Sequence, residues 1–145
     1  MPPVLFDSSV YVSAFRRGGD PSPLFRRWTG DSPLWLSSVA LEELYAGAPR
    51  RDHPIIEKLE HDFDTARRIL VPNFGDWTQA GKILARLAQK YGYESIGKAR
   101  LTNDALLAMS AARTGMTIIT ANQRAFARLA EFRPFSWQSA ESNRP

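Results

Sequence analysis

Short apolar runs alternate along the chain with stretches in which apolar side chains recur every three or four positions. Val4, Leu5 and Phe6 form an apolar triplet that predicts a short buried strand. Residues 8–17 follow as a helix, with Val10 and Phe15 at helical spacing. Residues 33–36 predict a second strand, after which Ser37 or Ser38 can cap a helix that runs to Tyr45 and stops at Gly47 and Pro49. From 52 to 69, Ile55, Leu59, Phe63 and Ala66 share one stripe with Leu70, the mark of an amphipathic helix. Residues 70–72 read as a brief strand. Trp77, Ala80, Leu84, Leu87 and Tyr91 define the next helix, and Thr102 or Asn103 caps another that closes at Gly115. Residues 116–120 are rich in β-branched side chains and predict a strand, 123–131 a helix, and 135–137 a last strand. Such alternation predicts an α/β fold, a sandwich with a parallel sheet. No repeat or linker interrupts residues 1–137, which read as one domain, with 138–145 as a polar tail.

Composition narrows the chemistry. The 145 residues include no cysteine, which excludes disulfides, thiolate metal sites and cysteine nucleophiles. That fits a cytoplasmic setting. No apolar run is long enough to cross a bilayer, and the first residues carry neither the basic nor the apolar region of a signal peptide. The net charge is +4 and the sequence pI about 9.8, a balance that draws a domain toward polyanions or serves solubility alone.

In a parallel sheet, functional groups gather beyond the carboxyl ends of the strands. Four residues meet that condition: Asp7 directly after the first strand, Glu43 in the helix after the second, Asp104 in a first helical turn, and Asn122 two residues after Thr120. Three carboxylates in one pocket stay ionised together only with a cation between them, and hard oxygen ligands favour Mg²⁺ or Mn²⁺. Such an ion polarises a phosphoryl oxygen and lowers the pKa of a bound water. Each residue also has a structural reading. Asp7 is a natural N-cap, Glu43 or its neighbour Glu42 a solvated helix charge, Asp104 a complement to the helix dipole, and Asn122 a turn residue.

The local wording resembles the PIN-domain nucleases, most closely the VapC-type toxins, from Val4 to about Trp137. The residues that carry the resemblance are Val4-Leu5-Phe6-Asp7-Ser8-Ser9, Glu43-Leu44-Tyr45-Ala46-Gly47, Asn103-Asp104-Ala105-Leu106-Leu107-Ala108 and Thr120-Ala121-Asn122. The resemblance implies a three-layer PIN-like sandwich with a mainly parallel central sheet flanked by helices. It implies that Asp7, Glu43 and Asp104 carry Mg²⁺ or Mn²⁺, directly or through water, with Asn122 beside them. Ser9 and Thr120 would orient ligands or waters. It further implies an endoribonuclease that cleaves a structured RNA such as tRNA or rRNA, a homodimer, and an antitoxin that inhibits it. One departure stands out: where relatives often have an Asp-Phe pair, this chain has Ala125-Phe126.

Lys98 and Arg100 precede Asp104, and Arg124 and Arg128 follow Asn122, so these four are candidates for holding RNA phosphates; a solvated face is the alternative. Trp28, Trp35, Tyr91, Tyr93 and Trp137 can stack bases if exposed, although core is the expectation for Trp35 and Tyr91. His53 and His61 read as surface residues. Gly97-Lys98-Ala99 is not a P-loop, and Asp7-Ser8-Ser9 lacks the second Asp of aspartyl-phosphate phosphatases. The alternative to a nuclease is a PIN-fold module that binds RNA or protein without cutting, for which Ala125 is the best support.

Overall fold

A computed structural model describes residues 2–18, 22–94 and 101–140. Its strands are β1 (Val4–Phe6), β2 (Leu34–Ser37), β3 (Ile69–Leu70), β4 (Thr117–Thr120) and β5 (Trp137–Ser139). Its helices are α1 (Ser8–Arg16), α2 (Ser22–Thr29), α3 (Ser38–Gly47), α4 (His53–Thr65), α5 (Phe74–Tyr91), α6 (Leu101–Thr114) and α7 (Gln123–Ala130).

Every strand pair is parallel, in the order β3-β2-β1-β4-β5. Parallel strands require crossovers, and the helices that make them cover both faces of the sheet. Alternation within the strands shows this: Leu5 and Ile118 enter one core with Leu87, Leu107 and Phe126, whereas Phe6 and Ile119 enter a second with Tyr11, Leu44 and Ile56. The chain is thus a three-layer α/β sandwich. Among the described residues no helix is long and apolar enough to cross a membrane.

Several element boundaries differ from the sequence expectation. The helix expected over 52–69 is α4, which ends at Thr65. Arg67 takes a left-handed φ of 57°, and the Arg68 N–H donates to the Phe63 carbonyl at 2.9 Å. This Schellman closure frees Ile69 and Leu70 to pair as β3 with Leu36 and Ser37. Helix α2 has no counterpart in the periodicity, because Pro23 reads as a breaker; at the second helical position its missing N–H costs nothing. Thr102 and Asn103 are not caps, since α6 already begins at Leu101. Trp77, expected on the buried stripe of α5, is 56% exposed. The boundary placed at 137 falls inside β5, where Gln138 and Ser139 pair with Ile119 and Thr120; the remainder of the tail, 141–145, lies outside the described residues.

Helix α5 opens on a capping box. Asn73 Oδ1 accepts from the Asp76 N–H at 2.8 Å and Asp76 Oδ2 accepts from the Asn73 N–H at 3.0 Å. Buried Asp76 also accepts from Arg113 Nε at 3.0 Å, which ties the start of α5 to the end of α6. The two helices therefore run antiparallel. In the second core the fully buried Tyr11 hydroxyl has no hydrogen-bond partner among the described residues. Leaving such a group unpaired costs about 1–3 kcal/mol. Tyr11→Phe should therefore raise stability by about 1 kcal/mol in urea unfolding with an unchanged m-value.

Candidate active site

Asp7 stands where β1 ends, in the centre of the sheet, with β4 beside it. It occupies the N-cap position of α1, yet its side chain makes no capping hydrogen bond. The carboxylate, 4% exposed, turns instead toward two hydroxyls. Ser9 Oγ and Thr120 Oγ1 each donate to Asp7 Oδ2 at 2.9 Å. Each hydroxyl is in turn fixed as an acceptor. The Ala121 N–H donates to Ser9 Oγ at 3.1 Å, and the Asn122 N–H donates to Thr120 Oγ1 at 2.9 Å. One oxygen of Asp7 is thereby locked, while Oδ1 has no hydrogen-bond donor among the described residues.

Asp104 lies in the first turn of α6 and is 7% exposed. Among the described residues no group donates a hydrogen bond to it. Burial, then the charges of Asp7 and Glu43, push its pKa up to about 8. Glu43, half-buried on α3, is also raised, by burial first and then by Asp7; the nearby polar groups of Asn103 and Ser8 act the other way. The Ser8 hydroxyl lies 3.4 Å from Glu43 Oε1. Three carboxylates from separate parts of the chain thus feel one another's charge at the carboxyl edge of the sheet.

The other candidates divide. Asn122 precedes α7 and is exposed, and its side chain makes no capping bond. Arg124 is exposed in the first turn of α7. Arg128 is already engaged, with its guanidinium 4.1 Å from the centre of the Tyr91 ring. Lys98 and Arg100 lie outside the described residues. Ala125 is buried beside Phe126 in the first core. Of the aromatic candidates, Trp35, Tyr91 and Trp137 pack against the first core and Trp28 against the second, while Tyr93 is 76% exposed. Two contacts escape a reading of the sequence. Asn103 Nδ2 donates to Glu42 Oε2 at 3.1 Å, and Ser8 reaches Glu43. Both are immediate neighbours of a candidate acid, which is the signal that could have found them.

Among the described residues no three acidic or histidine side chains already stand at metal-ligating distance from one another. The donor chemistry nevertheless suits a hard cation. Asp104 is a buried carboxylate without a donor and Asp7 has a free oxygen. A carboxylate in that setting takes either a proton or a metal.

A PIN-domain family model matches residues 4–132, almost the whole described chain. The chain belongs to the PIN-domain family. This PIN domain is similar in fold to a chain of DNA-bound VapBC from Salmonella typhimurium, with a TM-score of 0.69, 21% identity, and coverage of 96% of this chain and 98% of that one. It is also similar to VapBC2 from Rickettsia felis bound to a promoter DNA fragment, with a TM-score of 0.65, 19% identity, and coverage of 94% and 98%. A third likeness is to FitAcB from Neisseria gonorrhoeae, with a TM-score of 0.55, 19% identity, and coverage of 92% and 95%. No significant match was found among curated protein sequences.

The hydroxyl clamp of the PIN domain carries a direct expectation. Removing a group that orients a metal-binding carboxylate typically costs 10–100-fold. With the ion held at Asp7, Ser9→Ala and Thr120→Ala should each weaken Mn²⁺ binding by about that factor in titration calorimetry.

Proposed function

We propose that this PIN domain is a Mg²⁺- or Mn²⁺-dependent endoribonuclease and the toxin of a toxin–antitoxin pair. The observation that carries the reading is Asp104, a buried acid without a donor, held in the fields of Asp7 and Glu43 at the carboxyl edge of the sheet. In this reading Asp7 Oδ1 and Asp104 hold the ion, with Glu43 joining directly or through water. An ion bound there supplies an activated water and stabilises negative charge on a phosphoryl group. Ser9 and Thr120 keep Asp7 in one orientation, so its free oxygen needs no reorganisation when the ion arrives. In the same reading Asn122 completes the catalytic group and Arg124, exposed in the first turn of α7, would meet the RNA backbone.

The toxin reading draws on the likeness to chains of VapBC and FitAB assemblies. An antitoxin segment would lie across the helices of the second core. Two concavities there share Phe15: one of about 360 Å³ between Val12, Leu44 and Pro49, the other of about 370 Å³ between Phe25, Ile55 and Leu59. A second copy of the chain, the homodimer of this reading, would find exposed apolar side chains at Val71, Phe74 and Trp77.

The test is incubation of the purified, antitoxin-free chain with total RNA in Mg²⁺, in Mn²⁺ and in EDTA. Discrete fragments in either metal that disappear in EDTA are the expected result. Intact RNA in both metals, from folded protein, would favour the second reading, a PIN module that binds without cutting. Ala125 favours it too, because an apolar side chain stands where relatives often carry an acid.

A further inference from the structure

Cations concentrate along the seam where α5 lies beside α7. Lys82, Arg86 and Lys90 stand at four-residue spacing on α5 and so form one stripe. Arg124 and Arg128 repeat that spacing on α7, and Arg133 follows in the turn beyond. The seam is closed by direct contacts: Arg128 over the Tyr91 ring at 4.1 Å, Lys90 to Glu131 at 2.7 Å, and Arg86 over the Phe132 ring at 5.8 Å. Glu131 and Asp76 are the acids of these elements, and both are taken, Glu131 by Lys90 and Tyr91, Asp76 by Arg113. Six cations against these two acids give the seam a surplus as large as the net +4 of the whole chain.

At its far end the seam opens into a concavity of about 470 Å³. Lys82, Arg86 and Arg133 rim it, over a floor formed by Ile83 and Phe132. None of the three cations has a carboxylate partner among the described residues. Like charges held around an apolar floor repel one another, and a polyanion relieves that repulsion. The place is remote from the acids. Asn122 marks the start of α7, Arg133 lies past its end, and a helix of this length spans about 12 Å.

We infer that the Lys82–Arg86–Arg133 pocket is a second RNA contact, which grips backbone phosphates of a strand whose reacting bond lies at the acidic centre. Four-residue helical steps rise about 6 Å, close to the separation of successive phosphates along a nucleic acid strand. The stripe also leads from the pocket toward Arg124 and Asn122 rather than standing alone. The inference rests on the reading of the protein as one that acts on RNA. It makes no demand on cleavage, and the test separates the two.

Binding of fluorescently labelled bulk tRNA to the full-length chain is measured in EDTA across a salt series. Lys82→Gln/Arg86→Gln/Arg133→Gln should weaken binding by at least about tenfold and reduce the slope of log affinity against log salt by about 2–3. Lys82→Gln/Arg133→Gln keeps the Arg86–Phe132 packing and should reduce the slope by about 2, so a loss caused by misfolding is recognised. Arg68→Gln, an exposed cation outside the seam, should bind as the unaltered chain does. Affinity and slope unchanged in both seam variants would overturn the inference and leave the pocket to a carboxylate-rich protein segment. No RNA binding by the unaltered chain would remove the RNA reading itself, and this inference with it.

Discussion

Asp7→Asn should reduce metal-dependent RNA cleavage by about a thousandfold or more, because a group that acts as part of a unit takes most of the activity with it. The substitution is nearly isosteric. An amide can still accept from Ser9 and Thr120, so the fold around β1 should survive with a similar melting temperature. What it loses is the negative charge on the free oxygen, and with it the affinity for a hard cation. Cleavage of total RNA in Mn²⁺ and calorimetric Mn²⁺ titration should therefore fail together. A variant that binds Mn²⁺ normally yet does not cut would move Asp7 from ion holding to the chemistry itself. A variant that cuts normally would sink the proposed site.

Asp104 predicts the second large effect, and its sign follows from proton counting. The acid's ordinary value is 3.8, and in the folded chain it rises to about 8. Between those values the folded chain holds a proton that the unfolded chain has lost, so stability falls as pH rises. Metal-free protein should thus weaken progressively from about pH 4 to about pH 8 and level off above that. Asp104→Asn removes the penalty and should be more stable near pH 8 by on the order of 2–5 kcal/mol, since each tenfold change in proton affinity is worth about 1.36 kcal/mol and relaxation absorbs part of it. Urea unfolding in EDTA at several pH values reads this directly. Mn²⁺ should restore stability to the unaltered chain at high pH and do nothing for the variant. Equal stability of the two proteins across this range would show that Asp104 is not held in an unpaired, charge-crowded site.

Asp7 and Asp104 are legible in the sequence because each sits beside a strongly patterned element, whereas the resemblance to PIN domains, and not periodicity, points to Ser9 and Thr120 and selects Glu43 over Glu42. Asp7 follows an uninterrupted apolar strand, Asp104 lies in the first turn of a largely buried helix, and Thr120 ends a β-branched run. The alternation of strand and helix implies the parallel sheet for the same reason, since strands buried on both faces leave short apolar runs without alternation. What periodicity cannot reveal are events decided by a single backbone angle or by partners distant in sequence. The end of α4 depends on Arg67 entering a conformation that glycine usually takes, so a helical stripe reads on through Ile69. Trp77 satisfies helical spacing but lies in the first turn of α5, where its neighbour Asp76 takes the buried position and the indole stays 56% exposed. Arg128 reads as a free cation in the sequence, whereas in the fold Tyr91 lies beneath it.

The clamp on Asp7 also gives the protein a built-in reporter. The amides of Ala121 and Asn122 each donate to a hydroxyl that donates to Asp7, so both backbone nitrogens sit two hydrogen bonds from the carboxylate without touching it. Electron density drawn toward an ion at Asp7 polarises both chains. In a ¹⁵N–¹H correlation spectrum these two adjacent cross-peaks should move in concert as Mg²⁺ is added, and each should lose its response when its own hydroxyl, Ser9 or Thr120, is removed. A diamagnetic ion that offers no spectroscopic signal of its own would then be counted through the turn that follows β4.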